Sequence, residues 1–458
     1  MLFHKHNLWS LCGLASRAAL AASSTVMKRE VPAIVVAMAL MVSAAPAAGQ
    51  DQQDAQSPGQ TSSGTQREPR FVFSFDDHPS FRIGSKVRLD VRFKSQADWR
   101  DFPDEDVDSA NDTFDLHRAR LGVEGRVSRY LEYQVERETR GVKRPWRDVF
   151  VNVRPLRALE VQFGRFKMPF SLEQTTGSMD LDFVYRSLAA TYLSPSRDVG
   201  MMAHGRLVRN ALKYEIGVFR EGGDNARITE EAVRVSQRTV AGRIVTRPLT
   251  AVPHASLREL EVGLAFTAGR VPEGLNSLRL ETISGEGLVD RVFVNGLRRR
   301  LGAELQWRPG PLSVQGEVIR VSEERRGQGI DNENLPDAVQ RGWYLSGSWL
   351  ITGEEKKDNV DPAAPIFQGG FGAFEIAGRV EGLTFGGGPR NEPAYPGPRA
   401  RRIFETKDTA WTLGLNWYLN RFIGVRANVV RELQERTGPF FPGIDRTWSR
   451  TLRAQFQF

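Results

Sequence analysis

Thr447–Phe458 (TWSRTLRAQFQF) places Leu452, Ala454, Phe456 and Phe458 two apart and interleaves them with Thr451, Arg453, Gln455 and Gln457. A β-strand turns successive side chains to opposite faces, so this period separates an apolar face from a polar one. The terminal strand of a soluble sandwich is an edge that must be blunted, whereas the last strand of a closed barrel pairs with the first and has no free edge. A chain that stops inside such a strand, on an aromatic, points to a closed barrel.

Composition extends that reading. Hydrophobic residues make up 40% of the 458, and the mean hydropathy is -0.39. No run of about 20 apolar residues exists outside the N-terminus, which excludes helical spans. In a porin-type barrel only alternate residues of each strand meet lipid and the others meet water, so low mean hydropathy is expected. The 43 Gly, nine Trp and 26 Phe suit turns and interfacial aromatic girdles better than a helical core.

The N-terminus reads as an address. Lys28 and Arg29 precede an apolar run from Val31 to Val42, followed by a small-residue stretch and polar Gln50. That is the order of a secretory signal, with cleavage expected near Ala47 to Gly49. Residues 1–49 are read as this signal, with Met27 as the true start and residues 1–26 as a start-site misassignment. Cys12, the single cysteine, lies in the removed segment, which excludes disulfide or cysteine-metal frameworks in the mature chain. Residues 50–70, rich in Gln, Ser, Asp and Gly, read as a disordered leader, and 71–458 as the barrel.

From Phe71 onward, short alternating segments predict an all-β, antiparallel transmembrane barrel of about sixteen strands, an even number. The first eight are placed at Phe81 to Lys94, Phe114 to Arg126, Arg129 to Arg140, Arg147 to Val153, Leu159 to Phe166, Arg197 to Leu207, Ala211 to Arg220 and Leu260 to Ala268. The second eight are Ser277 to Ile283, Arg299 to Trp307, Leu312 to Ser322, Gly342 to Ile351, Phe371 to Glu381, Thr409 to Leu419, Ile423 to Leu433 and Thr447 to Phe458. Tight turns alternate with long polar excursions such as Lys167 to Ser196 and Glu221 to Glu259, the asymmetry of periplasmic turns and external loops. Thr352 to Gly370 breaks the parity: either strands are missing there or that turn is elaborated.

Alternation also assigns faces. In Phe81 to Lys94, the apolar residues share one face, while Arg82, Lys86, Arg88, Arg92 and Lys94 share the other with Asp90. A midplane Arg or Lys turned to lipid costs about 2 to 4 kcal/mol, so this ladder is expected to face a wet bore. The next strand adds Arg118 and Arg120, with a bulge expected near His117 because Phe114 and Leu116 have the opposite parity. Asp90, Glu132 and Glu136 fall on the lumen side too and would offset the ladder. Trp343, Trp349, Trp411, Trp417 and Trp448, near strand ends, and Phe458 are expected in the membrane girdles.

Three motifs then carry a resemblance. GRFKMPFSLEQ from Gly164, DFVYRSL from Asp182 and RDVGMMAHG from Arg197 resemble the phosphate-selective porin family, the O and P type, supported by GWYLSGSWLITGE, GAFEIAGRVEGL and LGLNWYLNRF further on. The resemblance implies a sixteen-stranded, usually trimeric outer-membrane channel with loops folded inward and an anion path lined by arginine and lysine. It makes Lys167 to Ser196 the constriction loop, and Arg165, Lys167, Arg186 and Arg197 candidates for its eyelet. The implied partners are phosphate or similar anions, outer-membrane lipid, a homotrimer, and the barrel-assembly machinery through the C-terminal strand.

Two rivals remain. A general diffusion porin with weak anion preference, or one for another anionic solute, fits the same pattern. A barrel-borne hydrolase lacks support, because His78, His117, His204 and His254 show no zinc spacing and no Gly-x-Ser-x-Gly elbow exists. No catalytic residues, metal site or cofactor are expected. The net charge of +8 invites nucleic acid, but an exported chain without a recognition motif excludes it.

Overall fold

The protein's computed structural model describes residues 71–101, 114–142, 144–223, 238–275, 280–283, 285, 287–387, 399–437 and 443–458. The signal and leader expected over residues 1–70 lie outside these. Sixteen antiparallel strands close a barrel, preceded by a short hairpin. The hairpin is β1 (Phe71–Phe75) and β2 (Pro79–Ile83). The barrel runs through β3 (Val87–Asp101), β4 (Phe114–Val127), β5 (Leu131–Glu138), β6 (Trp146–Leu156), β7 (Leu159–Lys167), β8 (Arg197–Leu207), β9 (Leu212–Phe219) and β10 (Thr239–Thr246). It continues through β11 (Glu261–Leu275), β12 (Phe293–Trp307), β13 (Leu312–Arg325), β14 (Leu335–Leu350), β15 (Ala373–Gly386), β16 (Thr406–Tyr418), β17 (Ile423–Arg436) and β18 (Gly443–Gln457).

β18 pairs with β3 from Arg450 opposite Asp101 to Gln457 opposite Lys94, which closes the cylinder. Phe458 exchanges both backbone bonds with Phe93 at 3.1 Å, and β2 takes over the same edge of β3 beyond it. The same edge of β3 is thus paired on both sides of Phe93, as a sheet that spans a membrane requires.

Three readings of the sequence are corrected. Phe81 to Lys94 is two strands, because Gly84, at φ 56°, begins a three-residue turn with Ser85 and Lys86. Ile83 and Val87 flank the turn four residues apart, so the alternation passes through it unbroken and hides the break. Thr239–Thr246, read as loop, is β10. Its apolar positions Val240 and Ile244 are diluted by Gly242, which erases the period. Conversely, the described part of Ser277 to Ile283 belongs to an external connection whose Leu280 is buried in the barrel's core. The missed and the surplus strand cancel, leaving the count unchanged.

The expected bulge and the elaborated turn are both present. Gln96 pairs with Arg118 but Asp98 with Asp115, the bulge beside His117. The connection between β14 and β15 is an elaborated turn with one short helical piece, Ile366–Gln368. Trp343, Trp349, Trp411, Trp417 and Trp448 all lie at outward positions. Trp343 and Trp349 are six residues apart, as are Trp411 and Trp417, or about 20 Å at 3.4 Å per residue. That separation is comparable with an apolar band of about 25 Å.

Candidate functional site

The connection from β7 to β8 leaves the rim and packs inside the bore. Buried amides need partners, and lumen side chains of the facing wall supply them. Glu317 on β13 accepts from the backbone amides of Leu172 at 2.9 Å and Glu173 at 2.8 Å, and Asn428 on β17 accepts from that of Val184 at 2.7 Å. Donors reach back as well. Arg426 donates to the Met179 carbonyl, and Arg453 to that of Val184, each at 2.6 Å. Arg379 bridges Glu173 and Glu381 at 3.3 and 2.9 Å. A helical turn, Ala189–Leu193, lies flat on β14 because Gly342 has no side chain: a Cβ there would stand 2.8 Å from that of Ala189.

The loop therefore covers the wall of β12 to β18 and narrows the bore toward the rest. At its base two expected groups meet. Lys167, where β7 turns inward, donates to the carbonyls of Thr175 and Thr176 at 3.1 and 2.8 Å. Arg186 shares the Thr176 carbonyl at 2.8 Å and takes that of Glu173 at 2.9 Å. Arg197 forms a fork with Asp148, at 2.6 Å from its Nη2. From β3 and β4, Lys94 pairs with Glu136 at 2.8 Å, and Arg120 with Glu136 and Glu138 at 3.3 and 3.1 Å, while Arg118 bonds Gln96. Arg186 lies within electrostatic reach of Arg118, Arg120 and Arg197.

Lys167 and Arg186 hold neutral carbonyls rather than carboxylates, so their charge is not cancelled by their own partners. Burial pushes the Arg186 guanidinium down to about 10; Glu173 opposes this, and Arg197 and Arg120 add to it. It still carries its proton near neutrality.

Other expected residues stand elsewhere. Arg82 and Lys86 are exposed, one on β2 and one in the turn from β2 to β3, so the ladder begins at Arg88. Arg88 and Arg92 do face the bore, paired with Asp90 and Glu124 at 2.8 Å each. Arg165 falls opposite Val149 and Val199, the latter 44% exposed on the outer face, and donates to the Trp146 carbonyl. It is not an eyelet residue, because alternation with inward Phe166 turns it away.

Three features were missed. His78, from the hairpin, reaches Arg92 at 3.0 Å and Asp90 at 3.3 Å, which couples the hairpin to the lower ladder. Lys356, from the long periplasmic turn, enters the bore and binds Asp182 of the inserted loop at 2.6 Å and Glu375 at 2.5 Å. Burial disfavours its charge, yet Asp182 and Glu375 hold its pKa above the ordinary lysine range. The third is a cavity of about 620 Å³ at the periplasmic end of β5 to β9, lined by Arg154, Arg157, Arg206 and Lys213 among others. Arg154 binds Glu160 at 2.9 Å and Lys213 binds Glu215 at 3.0 Å. Among the described residues, the Arg157 and Arg206 side chains have no partner. Arg157 and Arg206 sit near strand ends, where alternation carries little signal.

A closed barrel with an inserted loop and charged bore invites comparison with known channels. The family model described as phosphate-selective porin O and P matches residues 87–458. The chain belongs to that family. Family membership and the barrel fold place it among outer-membrane porins. Porin O of Pseudomonas aeruginosa is 23% identical over 307 residues, 60% of this chain. The match spans 65% of that relative's length. Outer-membrane expressed OmpT of Vibrio cholerae is 11% identical with a TM-score of 0.50, over 82% of this chain and 99% of that one. An anion-selective porin from Comamonas acidovorans is 11% identical with a TM-score of 0.47, over 81% and 100%.

Proposed function

We propose that the bore passes anions through a waist lined by Lys94, Arg118, Arg120, Lys167, Arg186 and Arg197, with phosphate-like oxyanions preferred. One observation carries this reading: Lys167 and Arg186 share a carbonyl, with no carboxylate among their hydrogen-bond partners. Arg88 and Arg92 extend the path below the waist, and Arg157 and Arg206 above the periplasmic exit. Two unit charges about 4 Å apart gain about 1 kcal/mol in water and about 4 at an effective dielectric of 20, so no single exposed site captures an anion. A series of moderate sites conducts without trapping. Guanidinium forks match phosphate oxygens in pairs, which favours phosphate at an arginine-rich waist.

A specific observation supports a second reading. Arg88 and Arg92 below the waist and Lys94 within it each have a carboxylate partner, so this stretch is close to neutral, as in a channel with general, weak anion preference. Planar-bilayer recordings separate the two. Anion-selective reversal potentials and block by millimolar phosphate are expected, both reduced in Lys167→Gln/Arg186→Gln. Cation selectivity would sink the proposal, and anion selectivity without phosphate block would leave the general porin.

Export and assembly complete the reading: residues 1–49 are removed, the C-terminal strand is handed to the barrel-assembly machinery, and three copies associate. An intact mass beginning near Gln50 and a trimer mass in detergent are expected. A retained residue 1 or a monomer would overturn the respective point.

A further inference from the structure

The outer wall carries a charged rung that the channel does not use. Arg320 on β13 and Arg341 on β14 are direct register partners. Both are exposed and point away from the bore, alternating with buried Ile319, Val321, Gln340 and Gly342. Like charges placed directly opposite repel. Among the described residues neither guanidinium has a hydrogen bond or an ion pair. The carboxylates of that face are engaged elsewhere: Glu324 by Arg326 at 2.6 Å and Arg299 at 3.5 Å, Asp337 by the Ser322 hydroxyl at 2.6 Å, and Glu435 by Lys407 at 3.2 Å.

The rung's height and its surroundings identify what it could hold. Trp343 pairs with Val318, one outward position nearer the membrane centre than the arginines, so the rung lies on the external side of the aromatic girdle, at head-group level. Beside it, an apolar depression of about 670 Å³ runs over β9 to β13, lined by Ile216, Ile244, Leu264, Phe266, Leu301 and Val318, with Arg320 at its margin. Gly242 lets the Phe266 ring lie against the wall there, since a Cβ would come within 2.6 Å of it. A cationic pair above a greasy slot fits an amphipathic ligand with an anionic head.

We propose that Arg320 and Arg341 bind a phosphate group of a phosphorylated glycolipid in the outer leaflet, whose acyl chains lie along the depression below. Two arginine forks can share one phosphate, which carries more than one charge near neutrality and relieves their repulsion. The proposal rests on residence in the outer membrane, not on anion selectivity.

Native mass spectrometry of the full-length barrel in detergent tests it, with diphosphorylated lipid A, the same lipid dephosphorylated, and inorganic phosphate as probes. Wild type should hold the diphosphorylated lipid about tenfold more tightly than the dephosphorylated one, as expected for charge-assisted pairs. Arg320→Gln/Arg341→Gln should lose that preference while keeping its single-channel conductance. Arg341→Glu creates an ion pair with Arg320, so its lipid-free melting temperature should rise while the preference disappears. Retention of the preference in either variant would overturn the proposal. Equal occupancy by inorganic phosphate would also overturn it, by showing a free-anion site in which the acyl chains play no part.

Discussion

The two halves of the bore wall use the same residue types to opposite ends. From β12 to β18, arginines and carboxylates are buried under the inserted loop, and Arg379 and Arg453 are nearly inaccessible. On β3 to β9 the same types are mixed: Arg120 and Glu136 are buried, whereas Arg92 with its partner Glu124 keeps about a third of its side-chain surface in water. In the first half charge is structural, holding a loop of unpaired amides against a sheet. In the second, pairs such as Arg92–Glu124 stay in contact with water. A census of lumen arginines cannot separate these roles, because burial decides whether a pair is spent on folding or left to act on the solution.

The largest effect should come from lifting the loop. Gly342→Leu places side-chain atoms where Ala189 and Leu193 sit, so the loop should leave the wall and single-channel conductance rise severalfold; unchanged conductance would mean that other contacts hold it. Next, the halves should differ in stability. Arg379→Ala strands Glu173 and Glu381 in a buried site and should cost about 3 to 5 kcal/mol, whereas Arg92→Ala should cost about 0 to 1 kcal/mol. Urea unfolding in detergent checks both, and equal costs would erase the distinction between packed and open wall.

Smaller effects probe the open half alone. Arg157→Gln/Arg206→Gln should lower anion conductance in dilute salt and leave it unchanged at about 1 M, where the Debye length falls to about 3 Å. Salt-independent loss would show that these side chains shape the exit rather than attract ions. The smallest concerns Lys356. Its folded pKa is raised above the unfolded value of 10.5, so its stabilising contribution is complete below that value and is lost only as pH climbs through the folded one. Conductance should therefore stay flat from neutrality to about pH 10, and Lys356→Met should increase channel noise across that range. A transition near pH 8 would contradict the Lys356 contacts.

Much of the barrel is legible in the chain because its rule is local. Lipid meets one side of each strand and water the other, so the period of two survives in segments such as Trp411 to Leu419 without any knowledge of neighbours. The rule fails where local sequence is silent: Gly242 thins the signal of β10, and the three-residue turn at Gly84 leaves the period intact. It also identifies Arg118, Arg120 and Lys94 as inward, since that needs only parity.

What the sequence by itself determined is therefore the alternation, the closure by a last strand that pairs with β3, and the inward parity of Lys94, Arg118 and Arg120. Only the tertiary structure decided which charges are spent. Lys167 and Arg186 share a carbonyl within the inserted loop, Arg165 faces outward, and Lys356 crosses from the periplasmic turn to Asp182, 174 positions away. Such pairing depends on distance and solvent exclusion in the closed barrel, and neither is written in a strand's own period.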